Sequence, residues 1–244
     1  QLSKPMDKVV SWREGRIESN SNPERISGKN AGMAVRFKTE KDEKVMLKVA
    51  ISYVSVEQAR KNMLTELSGW DFEQVKQSSF SEWNDWLGRI EVEGGSREQQ
   101  IKLYTDLWHA LLGRHVVSDA DGHYMDMTSD FPRIRQIPLG EDGKPLYNHH
   151  NFDAWWGSHW SLNILWSMAY PEVMDNFCNT MIDMYQNGGL IPRGPSGGNY
   201  TYVMIGDPAV SFFASAYNKG IRNYDAELAY EGLRKNAFVG GIRD

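Results

Sequence analysis

The spacing of apolar residues changes twice along the chain. Met33, Val35 and Phe37 alternate with Ala34, Arg36 and Lys38, and Val45, Leu47, Val49 and Ile51 alternate again after the charged turn Lys41-Asp42-Glu43-Lys44. A period of two puts one face of each run on a half-buried sheet, so the pattern predicts a β-hairpin at the end of an antiparallel sheet. Two strands alone are marginal in water, which calls for further strands as partners. Residues 1–30 are polar and turn-prone, with Asn20, Ser21, Asn22 and Pro23 and the run Ser27-Gly28-Lys29-Asn30. They predict a loop, with a short strand around Val9 to Trp12.

From Ser55 the spacing becomes helical. Ser55 with Glu57 and Gln58 opens a helix through Val56, Ala59, Met63, Leu64 and Leu67, and Asp71 opens a second through Phe72, Val75, Phe80, Trp83, Trp86 and Leu87. Ser96 with Gln99 makes a capping box for a third, which lines up Ile101, Tyr104, Leu107, Trp108 and Leu111. Residues 114–151 then form a long loop, a length often tied to function. Within it Val116-Val117 and Tyr124-Met125 flank Ser118 to Gly122 and predict a hairpin. Further helices are predicted over 153–169, 171–187, 207–219 and 224–236, with Pro171 and Pro208 near two of their starts. Helix pairs joined by long loops on one side suggest helical hairpins in a bundle or toroid.

Composition narrows the class. The chain has 244 residues, 41% hydrophobic and 24% charged, which describes a globular protein. Its net charge is −5 with no basic stripe, so no nucleic-acid partner is expected. No run approaches the ~18 apolar residues of a membrane span. The single cysteine, Cys178, rules out an internal disulfide and predicts a buried thiol. Gln1 opens inside a polar segment and Asp244 follows a helix and a Gly-Gly pair, so the chain is expected to be a fragment of a longer protein.

Nine Trp residues are a high aromatic load. Trp160 and Trp166 are expected in the core, the commoner place for an aromatic at helical spacing. Trp155, Trp156 and His159 stand at a helix start beside His149, His150 and Asn151, a better position for a site at a loop mouth. After the next helix comes Arg193-Gly194-Pro195-Ser196-Gly197-Gly198-Asn199-Tyr200. No GK[ST] follows, so this is not a phosphate-cradling P-loop. Arg193, Asn199 and Tyr200 on a glycine-hinged loop form a polar binding edge, and a sugar suits indole faces next to oriented donors. The adjacent His149 and His150 lack zinc-ligand spacing, and Asp119 to Gly122 lacks the later ligands of a calcium loop. Asp119, Asp121, Asp126, Asp130, Asp153 and Asp207 are loop or helix-start carboxylates, none singled out for acid–base work; at Asp153 and Asp207 helix capping is the commoner role.

Several runs carry a family resemblance. VAISYVSVEQARKNMLTEL, WDFEQVKQ, IEVEGG, LYTDLWHALL, SDADGHY, MYQNGGLIPRGPSGGNYTYVMIGDPAV and SAYNKGIRNYDAELAYEGLRKNAF occur in this order. From about residue 45 on, the chain resembles family 92 glycoside hydrolases, bacterial α-mannosidases. The resemblance implies a multidomain α+β fold. Residues 1–54 would end an N-terminal β-sandwich, 55–95 would be linker helices, and 96–244 would begin an (α/α)6 barrel. It implies inverting, exo-acting hydrolysis of a mannose-containing glycan, calcium as cofactor, and a periplasmic or secreted location. The family's general-base aspartates and many calcium ligands lie later in its chain, so the remainder of its own chain is an implied partner.

Two positions depart from the family pattern. Trp155 matches the Trp of a Trp-Asp-Thr motif, but Trp156 stands where the mannose-holding Asp would be and His159 where an Arg would be. Tyr200 occupies the general-acid position of a Gly-Asn-Glu-Thr motif. A phenol with an ordinary pKa near ~10 is a weak proton donor at neutral pH. The resemblance thus implies Trp155, Trp156, His159, Arg193, Asn199 and Tyr200 as substrate-facing, with Ser118 and Asp119 at the margin. It leaves two readings: an α-mannosidase-like glycosidase, or a catalytically altered carbohydrate-binding member of the same fold.

Overall fold

The computed structural model describes residues 1–18, 26–152, 155–202 and 206–242. Residues Asn20 to Pro23 of the expected first loop, and Asp153, lie outside them. The described chain is a mix of helices and three small sheets, and its helices do not close a barrel.

Strand β1 (Lys8–Arg13) turns through Glu14 and Gly15 into β2 (Arg16–Glu18). Both turn residues have positive φ, 51° and 76°, the backbone of a tight two-residue hairpin. Strand β3 (Gly32–Arg36) pairs with the other edge of β1, giving the order β2-β1-β3. The partner of the alternating run at Met33 is therefore β1, not residues 45–51 as expected. That second run is extended and bridges to the N-terminus, by Leu2 with Leu47 and by the amide of Lys48 donating to Gln1 O at 2.8 Å, while Asn62 of α1 donates to Ile51 O at 3.0 Å. Its alternation is real. Leu47, Val49, Ile51 and Tyr53 all point outward and stay exposed.

Helices α1 (Val56–Glu66), α2 (Phe72–Leu87) and α3 (Arg97–Leu112) follow the predicted pattern, each with a side-chain N-cap, from Ser55, Asp71 and Ser96. Helix α2 buries no residue of its own fully. A stack of rings and guanidinium groups fixes it instead. Arg89 and Arg114 lie 4.3 and 4.0 Å over the Trp86 ring, which stacks on Tyr170 at 5.6 Å. Tyr170 also donates to the carbonyl of Trp86.

The long loop holds four short strands. β5 (His123–Asp126) pairs with β6 (Arg133–Gln136), and β4 (His115–Val116) pairs with β7 (His150–Asn151). The hairpin expected between Val116-Val117 and Tyr124-Met125 is corrected: the turn at Asp119 to Gly122 exists, but each flank pairs with a later segment.

The expected helix over 153–169 is broken into α4 (Trp155–Ser158) and α5 (Leu162–Ala169). Helix α6 (Pro171–Gly188) is the centre of the molecule, buried around Val173, Phe177, Met181 and Met184 and ended by Gly189 at φ 89°. Helices α5, α7 (Pro208–Asn218) and α8 (Ala226–Asn236) pack against it. Trp166 stacks on Phe177 at 5.6 Å, and the Trp155 ring meets Phe212 edge-on at 3.7 Å. Cys178 is buried in this core as expected, and burial raises its thiol pKa.

Candidate functional site

Three segments converge along α6, which the 148–150 segment meets at Asn176 and Thr180 and Tyr200 meets at Met184. The amide of Val117 donates to His149 O at 2.8 Å, tying β4 to β7. The amide of Met127 donates to Gly198 O at 3.1 Å, and that of Phe152 to Pro195 O at 3.3 Å. Asn151 Oδ1 accepts from the amide of Gly197. Gly198 has φ 69°, and a Cβ there would lie 2.8 Å from Met125 O, so this close approach of loop to strand needs glycine. The sequence-predicted residues of 118–119, 155–159 and 193–200 thus belong to one connected cluster of loops.

Their side chains serve different ends. Asp119 is buried and fully engaged: Asn62 donates to Oδ1 at 2.7 Å and Ser52 to Oδ2 at 2.9 Å. It fastens α1 to the loop. Ser118 Oγ accepts from the amide of His149 at 3.1 Å. Arg193 directs its guanidinium to the carbonyls of Tyr202 and Ile242. Trp155 is fully buried and faces Phe212, which corrects its expected place at a loop mouth; packing against Phe177 and Phe212 claims the indole. Trp156, His159 and Asn199 are exposed. Trp160 is also exposed, at 74%, which corrects its expected place in the core: it follows the end of α4, where the helix breaks. Trp166 is buried as expected.

Tyr200 is oriented away from solvent. Its hydroxyl donates to Met184 O at 2.7 Å and accepts from the amide of Leu190 at 3.1 Å. It thereby ties the Leu190 amide, which lies past the end of α6, to the last turns of that helix. Gly188 makes room for it, since a Cβ there would lie 2.4 Å from the Tyr200 hydroxyl. Burial pushes the phenol up to about 12, against the pull of the Leu190 amide. This corrects its expected substrate-facing role: the hydroxyl proton is held in the helix end.

Sequence reasoning passed over a buried polar network beneath this loop. Asp126 opposes burial with the Thr128 hydroxyl and amide and with Arg133 at 2.8 Å and Arg135 at 3.4 Å, which hold its carboxyl below the usual range. Asp183 on α6 accepts from Tyr124 at 3.0 Å and from Tyr147, yet burial raises its pKa, and the Asp126 charge adds to the rise. Asn187 donates to the Tyr124 hydroxyl at 3.0 Å, and Arg133 donates to Asn187 O at 2.9 Å. The alternation of Tyr124 with Asp126 and of Arg133 with Arg135 was the available signal, two residues apart on one face of each strand. Beside it His149 is buried and stacks on Tyr124 at 4.2 Å; burial, with His150 adding, pulls its pKa down to about 3. His150 is pulled down to about 4 by burial, offset in part by the backbone of Arg114 and His115. Both imidazoles are neutral at ordinary pH.

Among the described residues no group of three or more His, Cys, Asp or Glu side chains is placed to hold a metal. Asp119, Asp121 and Asp126 are taken up by protein donors. The described residues by themselves therefore make no calcium site.

The chain matches the family model described as the glycosyl hydrolase family 92 catalytic domain over residues 58–244. It is 26% identical over 214 residues to a protein of Arthroderma benhamiae described as an uncharacterized secreted glycosidase, covering 86% of this chain and 22% of that protein. Its fold is similar to that of a family GH92 inverting mannosidase from Bacteroides thetaiotaomicron VPI-5482, with a TM-score of 0.84 at 23% identity, over 97% of this chain and 30% of that one. A family GH92 α-mannosidase of Bacteroides thetaiotaomicron superposes with a TM-score of 0.80 at 24% identity, over 96% of this chain and 30% of that one. The chain thus spans less than a third of the length of these relatives.

Proposed function

The chain belongs to glycosyl hydrolase family 92, and from that premise we propose that it is part of an inverting exo-α-mannosidase acting on mannose-containing glycans. The match over residues 58–244 carries this reading, and the mannosidases of like fold support the substrate class. In such a reaction a water attacks the anomeric carbon from the face opposite the leaving group, with one carboxyl group as acid and another as base. Trp156, His159 and Asn199 are proposed to meet the sugar, and their exposure supports this.

Residues 1–54 are proposed as the end of a β-sandwich, 55–95 as its linker and 96–244 as the start of an (α/α)6 barrel. The outward row Leu47, Val49, Ile51 and Tyr53 supports the first assignment, because an exposed apolar strand face wants a facing sheet. The 244-residue chain alone is proposed to be inactive, its base and calcium ligands being supplied from outside the described residues. A secreted or periplasmic location is supported by the Arthroderma benhamiae relative described as secreted. No helix of the described residues is long and apolar enough to cross a membrane.

A second reading, a carbohydrate-binding member with altered or lost chemistry, is favoured by one observation: the Tyr200 hydroxyl is bonded at the end of α6 rather than facing a substrate. Incubating the longer protein with α-mannosides, with and without a calcium chelator, separates the two. The enzyme reading expects mannose release that the chelator abolishes. Binding without release selects the second reading.

A further inference from the structure

We infer that Asp183 is a positioning residue: by accepting the Tyr124 hydroxyl it sets the β5–β6 hairpin against α6, and through the hairpin it fixes the glycine-rich loop that carries Asn199. The inference rests on the glycosidase reading, in which Asn199 meets the sugar. It adds a residue that acts on the sugar only through others.

The contacts run from the helix to the loop. Tyr124 of β5 is buried, and its hydroxyl donates to Asp183 Oδ2 at 3.0 Å. Tyr147 donates to the same carboxyl from the segment that leads into β7. One turn further along α6, Asn187 donates to the Tyr124 hydroxyl at 3.0 Å, and its carbonyl accepts from Arg133 of β6 at 2.9 Å. Both strands of the hairpin are thus bonded to α6. The Arg133–Asp126 pair lies within the hairpin, so the hold on β5 is left to Asp183 and Asn187. Past Asp126 the hairpin meets the loop: the Met127 amide donates to Gly198 O at 3.1 Å, one residue before Asn199. Helix end, hairpin and loop are close-packed where they join. A Cβ on Gly188 would lie 2.5 Å from Thr128 Cβ and 2.4 Å from the Tyr200 hydroxyl, and one on Gly198 would lie 2.8 Å from Met125 O. A shift of the hairpin is therefore passed to the loop rather than absorbed.

A carboxyl suits this task. It offers two oxygens that accept without donating, one for each phenol. An amide offers one acceptor and brings two donors, and an apolar side chain would leave both phenols without an acceptor. Stability does not account for the group. Burial raises the pKa of Asp183 and the Asp126 charge adds to the rise, while Tyr147, Tyr124 and Arg135 pull the other way. The fold thus disfavours the ionised form relative to water, so the carboxyl lowers stability at pH values above its folded pKa. What it supplies is the placement of β5.

The test compares the longer protein with Asp183→Asn, Tyr124→Phe and the double variant. Tyr124→Phe keeps the carboxyl and the ring that stacks on His149, so it carries the test where Asp183→Asn does not fold. Hydrogen exchange at the Met127 amide, read by mass spectrometry, should be faster by about tenfold in each single variant, with the amides of α7 unchanged. With an α-mannoside, KM should rise by about fivefold or more while kcat changes by less than about threefold, because Asn199 binds the sugar and transfers no proton. The double variant should stay within about threefold of the more impaired single one, as befits two groups on one path. Loss of kcat at unchanged KM, in step with the folded fraction, assigns Asp183 a structural role alone and overturns the proposal. So does unchanged exchange at Met127. If the parent binds a mannoside without turnover, the dissociation constant replaces KM with the same expectation. If the parent neither binds nor hydrolyses any mannoside, the glycosidase reading fails and takes the positioning role with it.

Discussion

Tyr200 shows how far one residue's role depends on its surroundings. Its position in the glycine-rich loop marks it for a substrate, and its chemistry marks it as a poor acid. Only the structure shows where the hydroxyl goes: to Met184 O and the Leu190 amide. Replacing Tyr200 with Phe keeps the ring and removes both bonds, leaving the Leu190 amide without the partner it has in the fold. The expected cost is about 1–3 kcal/mol, measured as a lower denaturation midpoint. Any mannoside turnover of the longer protein should change by less than about threefold. A loss of about a hundredfold or more would mean that the phenol is the proton donor after all. Trp155 and Trp160 teach the same lesson from opposite sides. Helical spacing says that a run of Trp residues is amphipathic, but the register of the inward face depends on where the helix breaks. Nothing in Ser158-His159-Trp160-Ser161 signals that break strongly: Ser161 sits at the N-cap position of α5 yet makes no side-chain cap bond.

At the scale of elements, local signals decide helix ends, and strand pairing is decided elsewhere. The capping box at Ser96 and Gln99, the prolines opening α6 and α7, and the glycine closing α6 are all present. These are short-range effects, decided within one turn. Strand pairing is long-range, so alternation at Met33 and at Val49 gave strands or extended chain but not their partners. Strand β7 was missed because it is two residues of a His-rich loop, held from both sides by β4 and α6. That placement has a consequence for pH. His149 and His150 sit near 3 and 4 when folded, against about 6.5 when unfolded. The unfolded chain therefore takes up protons that the folded chain refuses. Stability is complete above about pH 6.5 and is lost as pH falls toward the folded values, at up to about 1.4 kcal/mol per pH unit for each histidine. Urea midpoints at pH 7 and pH 5 should differ accordingly, and His149→Phe should flatten the dependence. A midpoint that does not move between those pH values would show that the imidazoles are not excluded from protonation by the fold.

The whole molecule is organised around α6, with aromatic packing on one side and the buried Asp126–Asp183 network on the other. The family was legible from collinear motifs, since these record local loop and helix signatures. The loops that carry the candidate site residues were legible for the same reason, as backbone hydrogen bonds tie Val117, Met127 and Phe152 to His149, Gly198 and Pro195. The site's chemistry was not, because the two departures, Trp156 and Tyr200, change what the side chains can do and not where the loops lie. Exposed apolar rows at Leu47 to Tyr53 and along Trp156 to Met168 ask for partners, which fits a chain spanning under a third of its relatives. The central claim is that this chain builds part of an inverting α-mannosidase. The most direct test follows the anomeric protons by NMR while the longer protein acts on an α-mannoside. The account predicts β-mannose as the first product, with the α-anomer appearing later by mutarotation. First release of α-mannose, or no release at all, would contradict it.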